Sequence, residues 1–250
     1  MHPDWLRPDW TAPGVGALMT TRRGGVSAAP FDSMNVRDAL GDDPRAVAHN
    51  QQSLKDTTGA VPVYLNQVHG VHVVRLISAD LAPDAPVHTA DASVTTEHGI
   101  ACAAQVADCL PVLFAAPGGV AAAHAGWRGL AGGVLEATLK ALCEAAQCRP
   151  GDVKAWLGAC IGPDNFEVGL DVLAAFGYAA DTGDSARFKP LREGKWLANL
   201  PMLARDRLGA LGVGAVSGGT WCTVADRSRF FSFRRDGVTG RMVAVVWRVA

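Results

Sequence analysis

Apolar and polar positions divide the chain into segments of strand length and helix length. Three apolar runs follow one another in the middle of the chain, over residues 100–107, 110–116 and 119–124. Nearly continuous hydrophobicity predicts strands that are buried on both faces. A helix is predicted over residues 130–147, directly after these strands, because leucines and a valine recur there at helical spacing.

Shorter patterns predict the remaining elements. Strands are predicted over residues 15–22, 61–68, 71–77, 91–96, 153–160, 214–217 and 242–249. Helices are predicted from Asp43-Pro44 to about Thr57 with Gly59 as the stop, from Asp171, and over 197–211, with a surface loop over 181–195. This order predicts a single α/β domain over residues 1–250, with mixed β-sheets flanked by helices.

Composition and charge exclude several classes of protein. The formal net charge is −1 and there are no charge runs, so nothing predicts a nucleic-acid partner. The longest apolar stretch is interrupted by Pro117-Gly118-Gly119, whereas a membrane span needs about 20 uninterrupted residues. The six cysteines form no C-x-x-C pair, and the N-terminus is unlike a signal peptide. We therefore expect a soluble cytoplasmic protein with reduced thiols; no pattern specifies an oligomeric state.

Polar residues interrupt the apolar pattern at three places. His69 separates two strand-like segments, Asp108 and Cys109 separate two apolar runs, and His124 ends a third. Two imidazoles and one thiolate suit zinc, and three protein ligands leave a coordination position open, as in catalytic sites. Copper is a second possibility, because it competes well for such ligands. Asp108 could orient a histidine or carry a proton.

The same residues allow two other interpretations. Cys109 could be the nucleophile of a cysteine hydrolase, with His124 as its base. Cys109 could also be a small core residue, which would leave the adjacent Asp108 unexplained. The three residues are far apart in sequence and show no clustered metal-ligand spacing, so spacing alone does not decide between these interpretations.

Motifs along nearly the whole chain strengthen the metal interpretation. They are TTRRGGVS at 20–27, QVHG at 67–70, ADCLPV at 107–112, HAGWRG at 124–129, GACIGP at 158–163, FEV at 166–168, WCT at 221–223, FSFRRDG at 231–237 and TGR at 239–241. Together they resemble the YfiH family, which is also called the multicopper polyphenol oxidase or laccase-like family. The family has been described as purine nucleoside phosphorylases and as peptidoglycan editing factors.

The resemblance implies a zinc or copper site formed by His69, Cys109 and His124. It also implies an α/β fold similar to that of a bacterial toxin glutaminase domain. The implied activities are phosphorolysis of adenosine, inosine and methylthioadenosine to free base and ribose 1-phosphate, and deamination of adenosine. The implied alternative is an amidase that edits UDP-linked muropeptides through a metal-activated water or Cys109 with His124. Polyphenol oxidation is less favoured, because the seven histidines include no H-x-H pair.

Residue roles follow for this chain as predictions. We expect Asp108, Cys109 and His124 to be catalytic. Arg22, Arg128 and Gln67 are predicted to bind the purine nucleoside and phosphate, since guanidinium groups bind phosphate with two parallel hydrogen bonds and both arginines lie near glycine turns. Gln51 stands where the resemblance implies an arginine in many family members; if that arginine contacts phosphate or nucleoside, an altered substrate affinity or activity is expected here, but the sequence does not say what Gln51 does.

Overall fold

Two β-sheets face each other in this computed structural model, which describes residues 1–181, 183 and 185–249. The four-stranded sheet contains, in spatial order, β1 (Val15–Met19), β13 (Met242–Arg248), β5 (Ile100–Val106) and β2 (Val61–Val63). The six-stranded sheet contains β12 (Ala215–Gly218), β8 (Lys154–Leu157), β6 (Leu110–Ala116), β7 (Gly119–Ala125), β4 (Ala92–Thr95) and β3 (Val73–Arg75). Both sheets mix parallel and antiparallel pairs.

Helices cover the outer faces of the two sheets. Their bounds are α1 (Pro44–Thr58), α2 (Trp127–Gly132), α3 (Val134–Ala146), α4 (Leu170–Ala175), α5 (Leu200–Ala210) and α6 (Phe233–Asp236), with 3₁₀ turns at Ser78–Leu81 and Pro150–Asp152. The start and end of α1 follow the predicted pattern: the Asp43 side chain accepts a hydrogen bond from the amide of Arg45, and Gly59 adopts a left-handed φ of 68°.

Four layers explain why the central strands are apolar on both faces. Leu54 of α1 packs with Ala101 and Ala103 on the outer face of the four-stranded sheet. The inner faces of both sheets share a core that includes Cys102 of β5 and Leu113 of β6. The opposite face of the six-stranded sheet packs against α3, α5 and their neighbours. The predicted α/β fold with mixed sheets and outer helices is therefore confirmed.

Several predicted boundaries were wrong. Residues 64–68 and 71–72 do not belong to the strands predicted there. The chain turns at His69 (φ 61°), and the amides of residues 68–70 donate to the carboxylate of Asp91 instead of to a neighbouring strand. The helix predicted over 130–147 is two helices, separated by Gly133 with a left-handed φ of 99°.

The predicted loop over 181–195 contains the hairpin strand β10 (Phe188–Arg192), and β11 (Lys195–Ala198) occupies the predicted start of the helix over 197–211. With β9 (Glu167–Val168), these strands form a third sheet. Four consecutive residues of β10 are exposed and only Phe188 is buried, so the strand lacks the apolar run or alternation that would have predicted it. Residues 182 and 184 of the predicted loop lie outside the described residues.

Within the described residues, every helix is too short or too polar to cross a lipid bilayer. All six cysteines are free thiols.

Candidate metal centre

The turn between β5 and β6 carries the first part of the site. Ala107, Asp108 and Cys109 connect β5 of one sheet to β6 of the other, so this turn lies where the chain passes between the sheets. Asp108 has a φ of 92°, which is rare for a residue with a side chain. Such a conformation persists only where the surroundings hold it, and it occurs often at functional sites.

Antiparallel pairing of β6 and β7 brings His124 to Cys109. His124 lies opposite Pro111 in this register, two residues from Cys109. β7 also pairs with β4, and the amide of His124 donates to the carbonyl of Asp91, just before β4. The His124 side chain is buried, with 3% of the residue exposed.

His69 completes the group from the loop after β2. Its Nε2 lies 3.6 Å from the Sγ of Cys109, and its ring meets that of His124 edge-on with centroids 4.7 Å apart. One ligand atom from each of His69, Cys109 and His124 lies within 4.8 Å of the others. The fold therefore brings the three predicted ligands together, and their imidazole and thiol donors fit a tetrahedral zinc site with one open position.

Asp91 fixes both histidines. Its Oδ1 lies 2.8 Å from the Nδ1 of His124, which directs the other ring nitrogen toward Cys109. The same carboxylate accepts hydrogen bonds from the amides of Val68, His69 and Gly70 at 3.2, 2.8 and 2.6 Å. A carboxylate that orients a ligand histidine is a common feature of zinc sites. The sequence prediction missed Asp91, although an acidic residue directly before a buried strand was a visible signal.

Charge interactions set the protonation of the metal-free site. Burial opposes ionisation of Cys109, but the hydrogen bond and positive charge of His124, with a smaller effect from His69, lower the pKa of Cys109 to about 6. Burial likewise opposes the charge of His124, but Asp91 and Cys109 outweigh it and raise the pKa of His124 to about 9. At neutral pH the site therefore contains a thiolate next to an imidazolium, and the thiolate is the form that binds metal.

Asp108 lies beside these ligands with its carboxylate held at both oxygens. The Thr223 hydroxyl donates to Oδ1 at 2.5 Å, and the amide of Arg234 donates to Oδ2 at 2.7 Å. The WCT and FSFRRDG motifs thus orient Asp108 through these two contacts.

A cavity of about 440 Å³ opens onto the site. His69, Asp108, Cys109 and His124 line it, together with a set of arginines and aromatic residues: Arg37, Arg234, Arg241, Trp127, Phe166 and Phe233. Phe233 is notable because 58% of this apolar residue is exposed. The cavity has the size and mixed lining of a small-molecule site.

The three predicted substrate-binding residues occupy different positions. Gln67 lines the cavity, but its amide exchanges two 2.8 Å hydrogen bonds with the backbone of Gln105. Arg22 lies in another depression, where it pairs with Asp32 at 2.9 Å. Arg128 stacks on the Trp127 ring at 4.4 Å and is not among the residues that line the cavity. Arg22 and Arg128 therefore lie outside the lining of this cavity, whereas Arg37, Arg234 and Arg241 line it, and the predicted roles in substrate binding stay predictions.

Gln51 donates through Nε2 to the carbonyl of Val36 at 2.9 Å. Its amide therefore supports the segment that carries Arg37. Only Arg234 and Arg241 of the three cavity arginines lie in motifs that the sequence pointed to; Arg37 gave no signal beyond its charge.

Fold and site together define a mixed α/β protein with an open His–Cys–His candidate metal site in a ligand-sized cavity. A family model described as multi-copper polyphenol oxidoreductase laccase matches residues 16–249. The chain belongs to this family, the YfiH family, as its motifs predicted.

Curated relatives and solved structures match this chain over nearly its full length. The purine nucleoside phosphorylase of Pseudomonas aeruginosa is 49% identical, covering 97% of this chain and 98% of its own. Purine nucleoside phosphorylase YfiH of Escherichia coli is 44% identical, with 97% and 98% covered. The crystal structure of a Neisseria meningitidis protein of the DUF152 family gives a TM-score of 0.90 at 45% identity, covering 99% of this chain and 100% of that one. YlmD from Geobacillus stearothermophilus also gives 0.90, at 32% identity and with 98% and 96% covered.

Proposed function

We propose that this chain is a metal-dependent purine nucleoside phosphorylase that also deaminates adenosine. The observation that carries the proposal is the position of the His69–Cys109–His124 group in a cavity that also presents arginines and an exposed aromatic ring. Relatives that cover the whole chain carry the name purine nucleoside phosphorylase, which supports the reaction class. Free thiols on all six cysteines suit the cytoplasm, where we expect the protein to act.

His69, Cys109 and His124 would hold the ion. Zinc fits this donor set best, and copper is the alternative. When bound, such an ion supplies a Lewis acid. Asp91 keeps the His124 ring in one tautomer and orientation, so that the ligands need little rearrangement on binding.

The remaining cavity residues suit a nucleoside. The exposed Phe233 ring offers a stacking surface for a purine, and the half-buried Trp127 adds a second aromatic wall. Asp108 is held by Thr223 and by the Arg234 amide, and this fixed carboxylate in the cavity supports a role in taking or returning a proton at the base. Arginine side chains supply the positive charge that phosphate requires.

The decisive test is nucleoside turnover by zinc-loaded protein. Adenosine and inosine are incubated with and without phosphate, and bases, ribose 1-phosphate and inosine are separated by chromatography. We expect phosphate-dependent release of base, phosphate-independent conversion of adenosine to inosine, and loss of both in Cys109→Ala. A zinc-loaded, folded protein that converts neither nucleoside would contradict the proposal.

A second candidate function is hydrolysis of an amide in a UDP-linked muropeptide. The thiolate of Cys109 beside a charged His124 favours it, because this pairing is typical of cysteine nucleophiles. Muropeptide cleavage that persists after chelation and is lost in Cys109→Ser would support Cys109 as the nucleophile. Cleavage that requires zinc would assign the amide hydrolysis to the metal site instead.

A further inference from the structure

We infer that Arg37 and Arg241 together form the binding site for a phosphoryl oxyanion inside the cavity. The inference rests on the proposed function in one respect: it takes the oxyanion to be inorganic phosphate, the second substrate of phosphorolysis. Arg37 gave no signal in the sequence beyond its charge, whereas Arg241 lies in the TGR motif and was one of the arginines considered for phosphate binding.

The two guanidinium groups lack a neutralising partner. Within the described part of the chain, no carboxylate lies within 4 Å of either group, whereas eight other arginines have such a partner. Burial lowers the pKa of Arg241 and the positive charge of Arg37 lowers it further, while the negative charges of Cys109 and Asp108 only partly offset these effects. Two like charges therefore share a partly buried space, where an anion between them would relieve both the repulsion and the desolvation.

A buried asparagine holds the two segments together. The Oδ1 of Asn35, which is fully buried, accepts hydrogen bonds from the amide of Arg37 at 3.1 Å and from the amide of Arg241 at 2.9 Å. The amide of Val36 also donates to the carbonyl of Arg241 at 3.2 Å. The backbone segments that carry the two arginines are thus fixed side by side by hydrogen bonds.

Partial hydrogen bonding leaves donors for a ligand. Arg37 donates from Nη1 to the Gln105 side chain at 3.3 Å, and Arg241 donates from Nη1 to the carbonyls of Thr239 and Gly240 at 2.9 and 3.1 Å. Within the described residues, Nε and Nη2 of both arginines have no protein acceptor. A planar guanidinium with one edge anchored and another edge free matches the two-bond geometry of phosphate recognition.

The position within the cavity fits a second substrate. Arg37 and Arg241 line the same cavity as His69, Cys109 and His124, and the Arg241 guanidinium lies 5.8 Å from the centre of the Phe233 ring. An oxyanion at the arginine pair would therefore share one cavity with a nucleoside stacked on Phe233. Arg234 is exposed and donates to the carbonyl of Glu167, so we assign it a weaker role.

Two ligands could supply this oxyanion: inorganic phosphate or the diphosphate of a UDP-linked substrate. The test is calorimetric titration of the zinc-loaded protein with inorganic phosphate and, separately, with UDP. Arg37→Gln and Arg241→Gln remove one guanidinium each. Arg45→Gln is the matched control, because Arg45 is an exposed arginine of α1 outside the cavity. Arg37→Lys retains the charge without the forked geometry, and circular dichroism checks that each variant is folded.

We expect each cavity variant to weaken phosphate binding on the order of tenfold or more, with Arg37→Lys intermediate and Arg45→Gln unchanged. The same losses for UDP alone would retain the oxyanion site but assign it to the larger substrate. Wild-type binding of neither ligand, or equal binding by folded wild-type and cavity variants, would overturn the inference.

Steady-state kinetics separate this inference from the proposed function. If phosphorolysis occurs but the KM for phosphate is unchanged in Arg37→Gln and Arg241→Gln, the inference fails and the proposed function stands. If phosphate binding depends on both arginines in a protein that does not cleave nucleosides, the proposed function fails and the oxyanion site stands.

Discussion

Asp91 connects the two histidines of the site through a single carboxylate. It is hydrogen-bonded to the ring of His124 and accepts hydrogen bonds from the amides of Val68, His69 and Gly70. Burial opposes its charge, but the hydrogen bonds from His124 and Gly70 lower the pKa of Asp91 below its ordinary value. The residue therefore remains ionised at neutral pH, and it positions ligands without needing to contact the ion itself.

Replacing Asp91 by Asn tests this positioning role. The side-chain amide of Asn lacks the negative charge that raises the pKa of His124. It also has one oxygen that can accept hydrogen bonds, where the carboxylate has two. We expect zinc affinity to fall by about 10–100-fold, measured by competition with a chromophoric chelator. Asp80→Asn is the matched control, because Asp80 forms a similar pair with His88, at 2.7 Å, outside the cavity. Equal affinity in both variants would show that Asp91 does not orient the ligands.

The ionisation of Cys109 gives a pH-dependent prediction. Because its pKa is about 6, the metal-free protein should be alkylated by iodoacetamide at Cys109 with a rate that rises through pH 6 and levels off above pH 7. Burial raises the pKa of Cys102 to about 12, so that residue should remain unmodified. Peptide mass mapping across the pH range measures the extent of alkylation at Cys109 and at Cys102.

Two variations check the cause of this ionisation. In His124→Gln the stabilising positive charge is absent, so the midpoint of Cys109 alkylation should move to higher pH. Saturating zinc should suppress the reaction at every pH in the range. A midpoint near the ordinary thiol value of about 8.5 in the wild-type protein would contradict the prediction.

Among the elements, the start of α2 approaches the ligands most closely. Gly126 precedes this helix, and a Cβ added there would lie 2.8 Å from Cδ2 of His69 and 3.1 Å from Sγ of Cys109. Both distances are too short for an unstrained contact. The glycine in the HAGWRG motif is therefore required by space next to the ligands, since its φ of −63° is open to any residue.

Gly126→Ala should separate the ligand atoms without unfolding the protein. We expect weaker zinc binding by at least about tenfold, with cobalt substitution showing an altered ligand-field spectrum. Gly209→Ala in α5 is the matched control, because a Cβ there meets no atom within 4 Å. That variant should bind zinc normally and be equally or slightly more stable. Unchanged affinity and spectrum in Gly126→Ala would mean that the ligands tolerate the added methyl group.

For the molecule as a whole, the site joins segments that are distant in sequence. Cys109 lies on the turn between the two sheets, His124 ends a strand of the six-stranded sheet, and His69 lies on the loop between strands of different sheets. An ion bound to all three would link these parts of the folded chain. Because the unfolded chain does not hold the ligands together, binding should stabilise the native state.

Zinc should therefore raise the melting temperature. At a free zinc concentration of about 100 times Kd, binding adds about 2.7 kcal/mol, which corresponds to roughly 5–10 °C for a protein of this size. Scanning calorimetry with zinc and with EDTA measures the shift, which should be absent in Cys109→Ala. A shift of equal size in Cys109→Ala would locate the stabilising zinc elsewhere.

Much of the fold could be predicted from local patterns. The apolar runs gave the strands β5, β6 and β7, and the Asp43-Pro44 and Gly59 signals gave both ends of α1. The non-strand course of residues 64–68 and 71–72 could not be predicted in this way, because the turn conformation between them depends on Asp91, which approaches only in the folded chain. The hairpin of β10 and β11 was missed because four of the five residues of β10 are exposed and give no apolar pattern.

By itself, the sequence determined the central strands β5, β6 and β7, the family motifs and the three metal-ligand candidates, since these depend on residue type and local periodicity. Only the tertiary structure decided that the candidates meet, because sheet register and the Asp91 carboxylate bring them together. It also showed that Arg37 and Arg241 line the cavity of the site, whereas Arg22 and Arg128 do not. Charge identifies an arginine, but the neighbours that neutralise it or leave it free are fixed only by folding.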